Sequence, residues 1–331
     1  MALKSTTDIS RFLEEWNITE IVLTVHTSGS TGTPKPILAE KSRMLSSARA
    51  TCDFLGLRPG DTALLCMPLD FIAGKMMVVR SIERKLILTT VTPSNHPFST
   101  IPDDSEGFSF AAMVPSQVYC TLQVTREREL LRKVRHLIIG GGAISSELSE
   151  ALAEFPNAVW SSYGMTETLS HIALRRINGS ERSEWYTPFD GIGLSLDKCD
   201  CLIIDAPSLC PHPLHTNDIA VINEDGKRFR ILGRKDNVIC SGGIKIQIEN
   251  IEELLRPKMK TPFCISKRPD PKFGEVAVML VENNHADNDT LESALESLPP
   301  YYRPKDIFVV DRIPLTPTGK IDRAAAMTLS Y

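Results

Sequence analysis

At 331 residues with 42% hydrophobic side chains, the chain is long enough for a large core, and its length favours two domains over one. Its 37 basic and 41 acidic residues leave a formal net charge of -4, which excludes a general electrostatic attraction to nucleic acid or to an anionic membrane surface. The most apolar run, Leu64 to Ile82, carries Asp70, Lys75 and Arg80, too many charges for a spanning helix.

In chain order, the opening MALKSTTDISRFLEEW has no apolar segment followed by small residues, so no secretory signal is visible and the chain reads as cytoplasmic, without membrane insertion. EIVLTVH is strand-like, and HTSGSTGTPKP at 26–36 follows it as a Gly/Ser/Thr loop whose backbone N–H groups, hydroxyls and single ammonium suit a polyphosphate. Taken alone, such a string also reads as a linker. It is not a Walker A loop. There the lysine opens a helix, whereas Lys35 stands between Pro34 and Pro36 and a residue before proline is pushed out of the helical region.

Strand and helix patterns then alternate: TALLCMP with GKMMVVRSIER, FSFAAMVPSQVYCTL read as one strand with RERELLRKV after it, and HLIIGGG with SSELSEALAEF. This alternation predicts an α/β sheet covered by helices. The glycines after HLII fall at the carboxyl end of a strand, where ligands of such sheets bind, and the next helix opens at Ser145 or Ser146. After Trp185 the texture turns to strands, with Glu224, Asp225 and Gly226 as a tight hairpin connection. Cys199, Cys201, Cys210, His212 and His215 can be drawn as a zinc site, but the C-x-C spacing fits no standard finger; a core strand followed by a Pro-rich loop is the other reading. From GRKDNVICSGGIKIQIENIEELL onward, a charged turn, two strands about a Gly-Gly pair, and a helix with Ile251, Leu254 and Leu255 on one face open a second, small α+β unit. The boundary falls near Lys235 to Asn237, dividing residues 1–235 from 236–331.

Five stretches, in order, resemble the motifs of the adenylate-forming superfamily, which contains acyl- and aryl-CoA ligases. They are TSGSTGTPK, SSYGMTET at 161–168, TNDIA at 216–220, LGRKDNVICSGGIKIQIENIE at 232–252 and PLTPTGKIDR at 314–323. The resemblance implies a large N-terminal domain and a small mobile C-terminal one. It also implies a phosphate loop of Thr27, Ser28, Gly29, Ser30, Thr31, Gly32 and Lys35, and a nucleotide site of Gly141, Gly142, Ser162, Tyr163, Gly164, Asp218 and Arg234. Asp218 would accept from the ribose hydroxyls, as carboxylates do in dinucleotide sites. Thr166 would bond a phosphate oxygen and Glu167 would hold Mg²⁺. Lys320 is implied as the lysine of adenylate formation and Asp236 as the hinge, while Gly242 and Gly243 leave room for pantetheine. The implied reaction joins a carboxylic acid and CoA at the expense of ATP.

Two departures bear on the acid. The phosphate loop begins at Thr27, so most of the usual N-terminal subdomain does not precede it, and a second copy of the chain could cover the open wall as a homodimer. Many members carry a histidine where Phe71 stands. Short members with this arrangement resemble o-succinylbenzoate-CoA ligases of menaquinone synthesis, whose acid has a second carboxylate. Arg80 is a candidate partner for it or a side chain snorkelling to the surface; His171 either lines the acyl pocket or is structural. A nucleotide-binding protein without catalysis is the reading from another class.

Overall fold

A computed structural model describes residues 7–26, 36–142, 144–259, 261–282, 288–316 and 321–330. Helix α1 (Thr7–Asn17) precedes an antiparallel hairpin of β1 (Val22–His26) and β2 (Pro36–Glu40), whose strands flank residues 27–35, and α2 (Lys41–Phe54) follows directly. Lys41 ties this corner together, because its ammonium donates to the carbonyls of Trp16 at 2.8 Å and Ile18 at 2.9 Å.

The largest sheet is built from β3 (Thr62–Leu65), α3 (Ile72–Arg84), β4 (Ile87–Thr90), β5 (Phe110–Met113), α4 (Pro115–Gln123), α5 (Thr125–Arg132), β6 (His136–Ile139), α6 (Ser146–Ala153), β7 (Ala158–Gly164), β8 (His171–Arg176) and β9 (Thr187–Pro188). Its seven strands run in the order β4-β3-β5-β6-β7-β8-β9, parallel from β4 to β7 and antiparallel beyond. The parallel strands are short, and β5 and most of β3 and β6 are buried, as expected of a sheet covered on both faces. FSFAAMVPSQVYCTL, expected as one strand, divides at Pro115: strand pairing stops at Met113, and the proline, with its φ already helical and no N–H to lose, opens α4. Ser145 caps α6 by accepting from the Leu148 N–H at 3.2 Å.

A second, antiparallel sheet follows as a simple meander, β10 (Gly193–Leu196), β11 (Cys201–Asp205), β12 (Leu214–Ile222) and β13 (Phe229–Arg234). The β12–β13 turn closes through the Gly226 N–H on the Asn223 carbonyl at 2.9 Å, with Gly226 at φ +72°.

The last sheet contains β14 (Val238–Ser241), β15 (Ile244–Gln247), β16 (Phe263–Asp270), β17 (Gly274–Glu282) and β18 (Asp306–Val310), with helices α7 (Ile248–Leu255), α8 (Asn288–Glu296) and α9 (Arg323–Thr328). It has its own core around Ile239, Ile251, Leu255, Ile265 and Met279. On α7 the buried stripe is Ile248, Ile251 and Leu255; Leu254, expected on that face, points outward at 45% exposure. The i, i+3, i+7 spacing explains this, since Leu254 lies about 100° round the helix from its neighbour Leu255. Among the described residues no helix is long and apolar enough to cross a membrane.

Candidate nucleotide and acyl site

Because β3, β5, β6 and β7 run parallel, their carboxyl ends share one edge of the sheet, the edge at which ligands of such sheets bind. Strand β6 ends there in Gly140, Gly141 and Gly142. Gly141 has φ +79°, a conformation that disfavours any side chain. Gly140, not singled out by sequence reasoning, is held to glycine by space: a Cβ would meet the Ser162 Oγ at 2.4 Å. Ser162 in turn donates to the Ile139 carbonyl at 3.3 Å, so its hydroxyl is engaged by the sheet. At Gly142 an added Cβ would make only ordinary contact with Pro115. Gly164 permits the close approach of β8, since a Cβ there would lie 2.4 Å from the His171 Cα.

Tyr163, Asp218, Arg234 and Asp236, far apart in sequence, form one network. Tyr163 sits at the end of β7 with its ring edge-on to Phe229 at 5.1 Å and tilted against Tyr186 at 5.8 Å. Its hydroxyl donates to Asp218 Oδ2 at 2.7 Å. Burial, and then the adjacent Asp218 carboxylate, raise the phenol pKa far above its ordinary value, so it remains a donor. Asp218 pairs across the sheet with Arg234, whose Nη1 donates to Asp218 Oδ1 at 3.1 Å and Nη2 to Asp236 Oδ2 at 3.0 Å. Burial pulls the Arg234 pKa down, but Asp218 and Asp236 outweigh it and the net shift is upward. Both Asp218 oxygens thus hold donors, and Tyr186 and Phe229 complete an aromatic wall. Neither was singled out from the sequence; they are 23 and 66 residues from Tyr163, and no local pattern joins them.

After Gly164 the chain makes a single 3-10 turn, Thr166–Thr168. The fully buried Thr168 locks it: the carbonyls of Ser170 at 2.6 Å and Met165 at 2.9 Å share its one hydroxyl proton, and its oxygen accepts from the Met165 N–H at 3.0 Å. Leu169 then takes a left-handed conformation, φ +64°, which costs an L-residue roughly 1–2 kcal/mol. The turn leaves Thr166 buried and Glu167 exposed. The Glu167 carboxylate has no hydrogen bond or ion pair with another described residue; the contact there is from the Cys210 thiol to its main-chain oxygen at 3.2 Å. A lone hard-oxygen donor facing solvent fits Mg²⁺, which retains most of its waters and takes one or two carboxylates beside phosphate oxygens.

A second cluster lies beneath this turn. Arg80, on α3, is 2% exposed, so snorkelling is excluded. Its Nη2 donates to Ser170 Oγ at 2.5 Å, its Nε has no partner, and no carboxylate of the described residues pairs with it. Desolvation lowers its pKa to about 10, which leaves it charged at neutral pH. Ser170 Oγ also lies 3.3 Å from His171 Nδ1, and His171 Nε2 lies 3.1 Å from Thr51 Oγ1. Burial, then Arg80, push the His171 pKa well below its ordinary value, so the ring is neutral. Phe71 is the extended residue before α3 and is half-buried. A separate cleft of about 520 Å³ between α1, the β1–β2 hairpin and Lys75 contains none of the expected site residues.

Gly242 (φ +57°) and Gly243 (φ +85°) form the two-residue tip of the β14–β15 hairpin, a turn that demands glycine-like conformations at both positions. The drawn zinc cluster does not assemble: Cys201 and Cys210 are buried, Cys199 is exposed with the Lys235 ammonium 3.8 Å away, and no group of three His, Cys, Asp or Glu among the described residues is placed to hold a metal. Thr27, Ser28, Gly29, Ser30, Thr31, Gly32, Lys35 and Lys320 lie outside the described residues.

A family model described as AMP-binding enzyme matches residues 6–219. A 2-succinylbenzoate–CoA ligase of Listeria monocytogenes is 27% identical over 336 residues, covering 94% of this chain and 70% of that protein. A solved acyl-CoA synthetase (AMP-forming)/AMP-acid ligase II-like protein from Dyadobacter fermentans is 33% identical, covers 95% of this chain and 91% of its own, and superposes with a TM-score of 0.65. The O-succinylbenzoate Coenzyme A synthetase of Bacillus subtilis, solved with ATP and magnesium, shares the fold at a TM-score of 0.76 with 22% identity, over 91% of this chain and 68% of that one. With the family model matching well over half its length, the chain belongs to the AMP-binding enzyme family.

Proposed function

We propose that this chain is an ATP-dependent acid–CoA ligase whose acid is 2-succinylbenzoate. In the first half-reaction an oxygen of the acid's carboxylate attacks the α-phosphorus of ATP and pyrophosphate leaves, giving an acyl-adenylate. In the second, the CoA sulfur attacks the acyl carbonyl, the thiol proton is lost and AMP departs. Charge that develops on phosphate oxygens in the first step is met by groups already in place. We assign that part to Thr166 and, on their motifs alone, to the loop with Lys35 and to Lys320, which lie outside the described residues. Glu167 would hold Mg²⁺, which neutralises phosphate charge when bound. Asp218 and Arg234 face the ribose and the strand-end glycines the base. We place the boundary of a nucleotide-binding unit, 1–235, and a lid unit, 236–331, at Asp236, with Gly242 and Gly243 on the pantetheine path. Support for the boundary is that Lys235 contacts Cys199, between β10 and β11, and Asp236 contacts Asn217 of β12, whereas Asn237 donates to Glu249 of α7 at 2.5 Å.

The observation that carries the choice of acid is Arg80. A guanidinium this buried, with a free Nε and only a hydroxyl as partner, is costly unless an anion completes it. An acid with a second carboxylate supplies one, and the 2-succinylbenzoate–CoA ligase of Listeria monocytogenes is named for such an acid. The test is ATP–pyrophosphate exchange across aromatic mono- and dicarboxylic acids, followed by CoA thioester formation. Arg80→Ala is expected to raise the KM for 2-succinylbenzoate about tenfold or more, the worth of a charge-assisted bond, and to change benzoate-type acids less than about threefold. Equal effects on both classes would point to another aryl acid, with Phe71 as an apolar pocket wall. Absence of exchange with any acid would leave a nucleotide-binding protein without ligase activity.

A further inference from the structure

We propose that Asn217 is a positioning residue that clamps the hinge turn and sets the balance between the two half-reactions. This rests on the ligase reading above and on Asp236 as its hinge. Strand β12 alternates burial through Thr216, Asn217 and Asp218: the first and third are buried and the second exposed. Thr216 fixes that pleat, donating to the Leu202 carbonyl at 2.8 Å and accepting from the Asp218 N–H at 3.1 Å. Asp218 therefore faces the nucleotide side, while Asn217 faces the turn Lys235–Asn237. The Asn217 carboxamide donates to Asp236 Oδ2 at 3.2 Å, with Oδ1 at 3.5 Å. The same carboxylate receives Arg234 Nη2, and Arg234 Nη1 holds Asp218.

Asp236 is thus gripped by one side chain that belongs to the nucleotide site and by one that does not. Arg234 must answer to the ligand, because a ribose that engages Asp218 competes for the oxygen Arg234 occupies. Asn217 has no contact with Asp218 through its side chain among the described bonds, so a ribose on Asp218 does not compete with it directly, although it shares Asp236 Oδ2 with Arg234. The carboxamide supplies a restraint on the turn that the ribose does not compete for, and Arg234 one that it does. Rotation about Asp236 has to break both.

The experiment compares wild type, Asn217→Ala, Asn217→Asp, Asp236→Ala and the Asn217→Ala/Asp236→Ala double variant. Three readouts are taken: ATP–pyrophosphate exchange, thioester formation from supplied acyl-adenylate, and the rate of tryptic cleavage after Arg234 and Lys235. Asn217→Ala is expected to change the ratio of the two half-reactions about threefold or more and to accelerate cleavage, the scale of one hydrogen bond to a carboxylate. Asn217→Asp, which sets like charges together, moves both readouts further in the same direction. In the Asp236→Ala background Asn217→Ala adds nothing. A ratio and a cleavage rate that both match wild type, or half-reactions that fall by the same factor with unchanged cleavage, would overturn the clamp. Accelerated cleavage in a protein whose wild type performs neither half-reaction would instead overturn the ligase reading and, with it, any part for Asn217 in balancing those steps.

Discussion

Asp218 shows how much one carboxylate is asked to do. Its two oxygens hold the Tyr163 hydroxyl and the Arg234 guanidinium, and ribose hydroxyls would have to share those acceptors. Asp218→Asn turns one acceptor into a donor and sets it against a phenol or a guanidinium, both donors. The expected result is AMP affinity lower by about tenfold or more, from the loss of charge-assisted hydrogen bonds, with the fold intact; titration calorimetry measures it, and an unchanged Kd would remove Asp218 from the nucleotide site. Asp218 was legible only through the resemblance of TNDIA to the family motif, since a single carboxylate on a strand otherwise reads as a surface charge. Arg80 was not. The sequence left it between ligand and surface, since Met76 to Ser81 is buried continuously and a helix covered on all sides has no periodicity that marks an outward position. Its partner Ser170 lies 90 residues away.

At the scale of elements, strands with strong apolar runs and helices that follow them at once were readable, and the hairpin at Gly226 was set by its turn residues. The sequence reading passed over β16, an edge strand whose FCISKRPD mixes charge into the pattern, and the last helix, α9, which is short and alanine-rich. One buried contact explains how these elements hold. Arg323, the first residue of α9, forms a bidentate pair with Glu252 of α7 at 2.7 and 2.8 Å and donates to the Ile265 carbonyl of β16 at 2.8 Å; Glu252 accepts from the Ile265 N–H at 2.9 Å. Glu252 is 3% exposed. Burial alone would lower the Arg323 pKa, but the Glu252 pair outweighs this and raises it. Arg323→Met leaves that buried carboxylate with the Ile265 N–H and the more distant Arg256 Nη2 at 3.9 Å, and removing the close partner of a buried pair costs about 3–5 kcal/mol. Denaturant unfolding should show that loss, with Arg323→Met/Glu252→Gln recovering part of it. Full stability in the single variant would mean that water replaces the guanidinium.

For the whole molecule, the order of the sheets places chemistry at two levels. The seven-stranded sheet brings Gly141, Tyr163 and Thr166 to one edge, the meander adds Asp218 and Arg234, and the last sheet follows the turn Lys235–Asn237 with a core of its own. Under the proposed hinge at Asp236, a unit with its own sheet, entered through the turn Lys235–Asn237, would be suited to present different groups to the nucleotide in turn. The motif PLTPTGKIDR puts Lys320 three residues before Arg323, close in sequence to the anchored start of α9. If Lys320 serves only the step in which pyrophosphate leaves, Lys320→Ala should lose most ATP–pyrophosphate exchange, about a hundredfold or more for a donor aimed at developing charge. It should keep thioester formation from a supplied acyl-adenylate within about threefold of wild type, since no interaction made only in the first transition state enters the second. The two rates are measured separately, exchange with labelled pyrophosphate and thioester formation by the loss of free CoA thiol. A loss shared equally between them would place Lys320 in both steps and would argue against a rotation that removes it from the site.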